Sequence, residues 1–354
     1  MIVRRCRPQF VVVVTMSILS ILCASACRGD NPYHFLKVIP VGGDGGWDCL
    51  CVDAAARRLY VSHASKVVVI DLDKEEVVGE IADTPGVHDF APAPELQRGF
   101  SSNGQESKSS IVDLKTLKTL SKVDTGNNPD VIRYEPGKQE VYVFNGRGDS
   151  ATVFEAKTGK IVTTVALPGR PEFAAVDSKA GRVYCNIEDK SEVVAIDTKT
   201  HQIVSAWPIA PGEEPSGMGL DLEHHRLFLG CRNKLMVMMD DTNGKVVATV
   251  PIGERVDGNA FDPGTQLAFS SNGDGTVTIA HEDALDKLTV VQQLTTERGA
   301  RTMALDPATH KIYLPSAKYE PQPPAEPGAP RQRPKIIPGS FKILVYEMQN
   351  ASNR

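Results

Sequence analysis

Apolar and polar residues alternate along almost the whole chain, in short runs that turn residues separate. One stretch shows the layout: the runs Glu172–Val176, Arg182–Asn186, Glu192–Ile196 and Gln202–Trp207 are divided by turns rich in Asp, Lys, Gly and Thr. Alternation with a period of two is typical of β-strands with distinct faces. The pattern therefore predicts four consecutive strands joined by tight turns.

The same turn-plus-strand phrase occurs seven times. One position of the strand is aromatic in most copies and recurs every 39 to 45 residues, at Tyr60, Gly99, Tyr142, Tyr184, Phe228, Ala268 and Tyr313. A period of this length with β-type units indicates small sheets arranged radially. We therefore predict an all-β fold, a seven-bladed β-propeller over residues 34–347, with a linker at 27–33 and a tail at 348–354.

The last repeat predicts how the ring closes. It has a first strand at Arg301–Leu305, a second at Lys311–Leu314 and a third at Phe341–Tyr346, and it lacks a fourth. The N-terminal run Tyr33–Ile39 matches the fourth strands of other repeats and has no repeat of its own. Pairing this run into the seventh sheet would join the chain ends and remove an exposed edge.

Two segments depart from the repeat. A Pro-rich insertion at 316–340 interrupts the last blade, and we expect an extended loop over one face. It is a long hairpin connection or, alternatively, a lid or docking peptide. In blade two, Pro92 stands where other copies have Asp and Gly99 replaces the aromatic residue, which predicts an irregular first turn.

The N-terminus has the pattern of an export signal. Three arginines within the first seven residues precede the apolar run Phe10–Leu22, and Ala24-Ser25-Ala26 supplies small residues before Cys27. Residues 1–26 are therefore predicted to be a signal peptide. Alternatively, the segment is a lipoprotein signal with Cys27 as the lipidated residue. The protein is expected to be exported, either periplasmic or secreted, or anchored to the membrane by a lipid.

Charge and cysteine content narrow the function further. Loss of residues 1–26 would remove three arginines and take the formal charge from −5 to −8. A mildly acidic protein lacks the basic footprint of a nucleic-acid binder. The remaining cysteines have no zinc-finger spacing and are interpreted as small buried residues of inner strands, although export permits a disulfide. They are Cys49, Cys51, Cys185 and Cys231.

One set of residues is a candidate site. The first strand of each propeller blade lines the central channel, so residues at the starts of these strands meet at one mouth. In blade order they are Asp48, His88, Asp130, Glu172, Ser216, Asp257 and Arg301. Such a cluster would shift its own pKa values. It could hold a divalent cation such as calcium, or bind a polar ligand with Arg301 opposite the acids. The alternative is a solvated polar rim.

Other polar residues are interpreted as parts of turns. His201, His224 and His225 fall in outer turns and are expected to be solvated, and the recurring Asp at strand ends is expected to form turns. Three Asn-Gly pairs, at Asn103, Asn145 and Asn272, are typical of hairpins. The sequence contains no G-x-S-x-G, H-E-x-x-H, phosphate-loop or C-x-x-C-H motif.

Several phrases resemble a known family. They include Arg57-Arg58-Leu59-Tyr60-Val61-Ser62-His63, Asn127-Asn128-Pro129-Asp130, Gly169-Arg170-Pro171-Glu172 and Gly299-Ala300-Arg301-Thr302-Met303-Ala304-Leu305-Asp306. The chain resembles the YVTN-type (YncE-like) β-propeller family from about residue 36 to 347. This resemblance implies an exported seven-bladed propeller and transfers no catalytic residue.

These observations favour a non-catalytic binding or scaffolding module of the cell envelope. An envelope protein, a peptide or a small polar ligand would bind at the channel mouth, and the protein would be a monomer that meets the membrane only through a lipid anchor. The alternative is a lactonase-like hydrolase that uses the acids, His88 and Arg301, with either a metal ion or Arg301 polarising the carbonyl. A third hypothesis, redox or haem handling, rests only on other exported propellers that hold such cofactors.

Overall fold

The computed structural model describes residues 32–321 and 334–349. These residues form seven four-stranded antiparallel sheets. The predicted seven-bladed β-propeller is confirmed. The predicted signal peptide, Cys27, the middle of the Pro-rich insertion and most of the predicted tail lie outside the described residues. Within the described ranges, no helix is long and apolar enough to cross a membrane.

Each blade begins at the channel and proceeds outward. The innermost strands are β2 (Trp47–Asp53), β6 (Val87–Ala93), β10 (Pro129–Glu135), β14 (Pro171–Asp177), β18 (Pro215–Asp221), β22 (Val256–Asp262) and β26 (Ala304–Asp306). The second strands are β3 (Arg58–His63), β7 (Arg98–Asn103), β11 (Glu140–Asn145), β15 (Arg182–Ile187), β19 (Arg226–Cys231), β23 (Leu267–Asn272) and β27 (Lys311–Ser316).

The outer half of each blade completes the sheet. The third strands are β4 (Lys66–Asp71), β8 (Lys108–Asp113), β12 (Ser150–Glu155), β16 (Glu192–Asp197), β20 (Leu235–Asp240), β24 (Thr276–Ala284) and β28 (Lys342–Met348). The fourth strands are β5 (Glu76–Ile81), β9 (Lys118–Asp124), β13 (Ile161–Ala166), β17 (Ile203–Pro208), β21 (Val246–Pro251), β25 (Lys287–Thr295) and, for blade seven, β1 (Tyr33–Pro40).

The two ends of the chain close the ring, as predicted. β1 pairs antiparallel with β28, so that Tyr33 lies opposite Met348 and Pro40 opposite Lys342. The Tyr33 hydroxyl donates a 2.6 Å hydrogen bond to the carbonyl of His310. β26 is shorter than the expected first strand and covers only Ala304–Asp306. Arg301 therefore lies in the loop before the strand, not within it.

Each blade buries both of its faces against its two neighbours. β3, β4 and their equivalents are buried along most of their length, whereas the fourth strands are largely exposed. Between blades one and two, for example, Tyr60 and Val69 pack with Phe90 and Val112. Burial on two faces explains why a third strand such as β4 carries the continuous apolar run Val67-Val68-Val69-Ile70.

The strand-end acids form turns, as predicted. The Asp177 carboxylate accepts a 2.8 Å hydrogen bond from the amide of Ala180, and Asp53 does the same for Ala56. The interpretation of the Asn-Gly pairs was wrong for the asparagines. Asn145 is the last residue of β11, fully buried, and its side-chain amide donates to Thr152 on the neighbouring strand. Asn103 and Asn272 end β7 and β23 and make equivalent bonds.

Blade two has the irregular turn that its sequence predicts. A 3-10 helix, Pro94–Leu96, replaces the Asp-capped turn. The missing aromatic ring is supplied from the inner strand, because Phe90 stacks on Tyr60 with ring centroids 4.6 Å apart. A Cβ atom on Gly99 would lie 2.2 Å from the Phe90 ring. Gly99 therefore makes room for a ring that enters from the neighbouring strand.

The described ends of the Pro-rich insertion fold onto blade one. Tyr319 and Ile336 form an isolated antiparallel bridge. The Trp47 ring stacks on Phe341 at 5.2 Å and lies 6.4 Å from the Tyr319 ring. The base of the insertion is thus a hairpin packed against the first residue of β2.

The four described cysteines are free thiols. Cys49 and Cys51 lie in the inner strand β2, as expected. The expectation was wrong for Cys185 and Cys231, which lie in the second strands β15 and β19. Burial raises the pKa of Cys51 and of Cys231 to about 12, so neither thiol is poised as a nucleophile.

Candidate binding site at the mouth of the central channel

The structure brings the predicted residues together. Six of them occupy the second position of an inner strand, directly after a buried residue: Asp48, His88, Asp130, Glu172, Ser216 and Asp257. In each of these strands the pairing register shifts just after the first residue. A β-bulge of this kind re-aims the side chains beside it. Arg301 reaches the same mouth from the loop before β26.

His88 lies between two carboxylates. Its Nδ1 atom is 2.6 Å from Asp48 Oδ2 and 3.8 Å from Asp130 Oδ1. Burial alone would lower the pKa of His88, but the hydrogen bond with Asp48 and the charge of Asp130 outweigh burial and raise it to about 9. His88 is therefore a cation at neutral pH, and it links blades one, two and three.

Arg301 holds the other side of the mouth. Its guanidinium pairs with Asp257, and Nη2 lies 3.5 Å from Asp48 Oδ1. Ser216 donates a 2.9 Å hydrogen bond to the second oxygen of Asp257. Burial raises the pKa of Asp257, and the nearby Arg301 offsets this only in part. Asp48 thus joins the His88 pair to the Arg301 pair.

Glu172 is uncharged at neutral pH. Burial, the charge of Asp130 and a hydrogen bond with Glu188 raise its pKa to about 10. Glu188 belongs to a short 3-10 helix, Glu188–Lys190, and pairs with Arg170 and Arg232. The Glu172 carboxylic acid therefore donates its proton to a carboxylate that two arginines hold in place.

Asp130 is the acid whose charge is most easily changed. Burial is the main cause that raises its pKa to about 7; His88 lowers it, while Asp48 and Asp257 raise it. Its side chain is 23% exposed, so a ligand can reach it. Asp130 can accept or release a proton close to neutral pH, and an added positive charge would favour its ionised form.

A cavity of about 280 Å³ follows the mouth along the inner strands. Cys49, Phe173 and Met303 line it together with an ion pair in which Arg133 Nη1 lies 2.5 Å from Asp89 Oδ2. This pair was not predicted from the sequence. The sequence did contain a signal for it. Asp89 follows His88 and Arg133 lies within Val131–Tyr134, so each is a charged residue inside an otherwise apolar inner strand.

The mouth also offers metal ligands. One atom each from Asp48, His88 and Asp130 lies within 4.8 Å of the others. A set with an imidazole nitrogen suits Zn²⁺ or Mn²⁺ better than Ca²⁺, which takes six to eight oxygen ligands. Calcium remains a prediction that the donor set supports poorly.

No protein-family model matches the chain. Two curated relatives do: YncE of Salmonella typhi and YncE of Salmonella typhimurium strain LT2, each 24% identical over 148 residues. The match covers 40% of this chain and 42% of each relative, so the chain spans less than half of their length. Both are named as uncharacterized proteins, and neither name identifies a ligand.

Among solved structures, a chain of Kuenenia stuttgartiensis hydrazine synthase is similar in fold. The TM-score is 0.68 with 16% sequence identity, over 79% of this chain and 96% of the other. This likeness concerns the fold alone. Together with the seven observed blades, it shows that the chain is a seven-bladed β-propeller, part of which is similar in sequence to YncE.

Proposed function

We propose that the protein is a non-catalytic binding propeller of the cell envelope and that its channel mouth takes up a positively charged group. The ligand would be a basic segment of an envelope protein, a basic peptide or a small polar cation. The supporting observation is that Asp130, Glu172 and Asp257 all have raised pKa values in one partly open site. Burial is the largest cause of each raised pKa, and a cationic ligand beside the acids would favour their ionised forms.

Binding of a cation should release protons. At pH 8, Glu172 is protonated because its pKa is about 10, and an ammonium or guanidinium group beside it would favour the carboxylate. The heat measured on binding would then depend on the ionisation enthalpy of the buffer. A ligand that only covers a solvated rim would show no such dependence.

The experiment is calorimetric titration with a short lysine-rich peptide in two buffers that differ in ionisation enthalpy. The purified protein should bind the peptide and release protons, and a peptide rich in glutamate should not bind. The double substitution Asp130→Asn and Glu172→Gln should weaken binding and abolish the buffer dependence. The control is Glu76→Gln, a charge change of the same kind on the exposed strand β5. Equal binding by the double variant would refute the proposal.

A lactonase-like hydrolase is the second candidate. The observation that favours it is Asp130, which has a pKa of about 7 and lies near His88 and Asp48, as a general base that acts at neutral pH requires. Assays of a panel of lactones with added Zn²⁺, Mn²⁺ or Ca²⁺ test it. Turnover that Asp130→Asn abolishes would replace the non-catalytic proposal.

A further inference from the structure

A second polar cluster lies at the opposite end of the inner strands, between blades five and six. Asp221 ends β18, His224 lies in the turn that follows, and Glu282 belongs to β24. β24 has nine residues, whereas the third strands of blades one to five have six. This extension carries Glu282 beyond the usual strand end to the turn of the neighbouring blade.

The three side chains converge. His224 Nδ1 lies 2.6 Å from Asp221 Oδ2 and 3.8 Å from Glu282 Oε2. One ligand atom from each residue lies within 4.8 Å of the others. The side chains of Asp221 and Glu282 are each 2% exposed, whereas that of His224 is 32% exposed. The cluster is therefore closed on the protein side and reached from solvent past the imidazole. The expectation that His224 is simply solvated was wrong.

Among the described residues Glu282 has no N–H donor, and the other carboxyl group of the cluster is its neighbour Asp221. Neither of its carboxylate oxygens accepts a hydrogen bond from a described residue. The nearby Arg226 does not supply one: its donors go to the carbonyls of Leu285, His224 and His225, and it pairs with Asp240. A buried carboxylate without a donor is destabilising.

Asp221 adds a second carboxyl group to the cluster. The Asp221 carboxylate is also buried, at 2% exposure, and faces the same imidazole. Two buried carboxyl groups that face one imidazole need compensation, either by protons on the imidazole or shared between the carboxyls, or by a bound metal cation. These two explanations differ in what they predict for added metal.

We propose that Asp221, His224 and Glu282 bind a divalent transition-metal ion of the Zn²⁺ type. One imidazole nitrogen and two carboxylates are ligands that Zn²⁺ and Co²⁺ accept in four-coordinate sites, with water in the remaining position. Ligand atoms around tetrahedral Zn²⁺ lie about 3.4 Å apart, given bond lengths near 2.1 Å. The observed spacings of 2.6 and 3.8 Å lie on either side of this value. A bound ion would join blade five to blade six.

The neighbouring cluster provides a matched control. His225 Nδ1 lies 3.2 Å from Asp241 Oδ1 of its own blade and near Asp177 of blade four. It has the same donor types, but the His225 side chain is 48% exposed, and only one oxygen of Asp241 lacks a hydrogen-bond partner. Consecutive histidines thus belong to separate clusters, and each can be replaced without altering the other donor set.

The test is a titration of metal-free protein with Co²⁺, followed by displacement with Zn²⁺, because the visible spectrum of bound Co²⁺ reports its coordination. We expect one tight equivalent. Glu282→Gln and His224→Ala should each weaken binding at least tenfold, since each removes a ligand. His225→Ala and the channel-mouth variant His88→Ala should retain this equivalent. Thermal unfolding without metal checks that Glu282→Gln folds, and His224→Ala, at a more exposed residue, provides a second test.

Two results would overturn the proposal. The first is a metal-free protein that takes up neither ion at micromolar concentrations, which would leave protons on His224 or shared between Asp221 and Glu282 as the explanation. The second is metal binding that persists in both Glu282→Gln and His224→Ala, or that disappears only in His225→Ala or His88→Ala.

Discussion

Replacing Glu172 by glutamine should stabilise the protein at neutral pH and leave its stability unchanged near pH 4.5. In the unfolded chain this carboxyl ionises near its ordinary value of 4.5, whereas in the folded protein its pKa is about 10. The folded state therefore keeps a proton that the unfolded state loses. Under such linkage, the free energy of unfolding falls as pH rises between the two values.

The magnitude follows from the two pKa values. Each pH unit between them lowers the free energy of unfolding by about 1.4 kcal/mol. By pH 7 the native Glu172 should therefore cost about 3 kcal/mol. Glutamine cannot ionise and keeps an N–H that can donate to Glu188. Glu172→Gln should remove this cost, and its advantage should be absent at pH 4.5 and grow steadily above it.

Urea denaturation at a series of pH values measures the effect, followed by the fluorescence of Trp47 and Trp207. Urea is uncharged and leaves the electrostatics unscreened. Glu76→Gln on exposed β5 is the control and should show no comparable trend. A difference between Glu172→Gln and wild type that does not change with pH would refute the reasoning, as would a less stable variant at pH 7.5.

Three further predictions concern the ring and its mouth. Deleting β1 should lower the melting temperature sharply, because β28 would become an exposed edge; an unchanged thermal transition would contradict the closure described here. Gly99→Ala should destabilise the fold by about 1–3 kcal/mol, since the new Cβ would overlap the Phe90 ring. Gly46→Ala, where a Cβ meets nothing within 4 Å, should be nearly neutral in the same urea experiment. Asp48→Asn should lower the pKa of His88 from about 9 toward 6.5, measured by NMR titration of the imidazole, and a value still near 9 would show that Asp48 is not its main partner.

The fold was largely predictable because its determinants are local. Turn residues and alternating strands repeat along the chain, and each copy carries the pattern of a whole blade. The closing strand was predictable for the same reason, since Tyr33–Ile39 matches a fourth strand and the last repeat lacks one. β26 was overestimated because Arg301 and its neighbours match strand positions of other copies, whereas in this blade they form a loop.

The candidate site was only partly predictable. Position within the repeat placed Asp48, His88 and Asp130 at one mouth, but it did not reveal that Glu188 would meet Glu172. That contact depends on a turn of a different strand pair. The same limit applied to His224, whose partner Glu282 lies on another blade and reaches it only because one hairpin is longer. Contacts between blades depend on differences among the copies, which the repeat does not describe.

Closure by β1 also has a consequence for the order of folding. Blades one to six are each built from consecutive strands, so each can form from residues that are close in sequence. Blade seven joins Tyr33 to Met348, the longest separation in sequence among its strand pairs. Contacts between residues that are so far apart in sequence form slowly. The N-terminal strand, made first, must therefore wait for the last strand, and premature termination before residue 342 would leave six complete blades in an open ring.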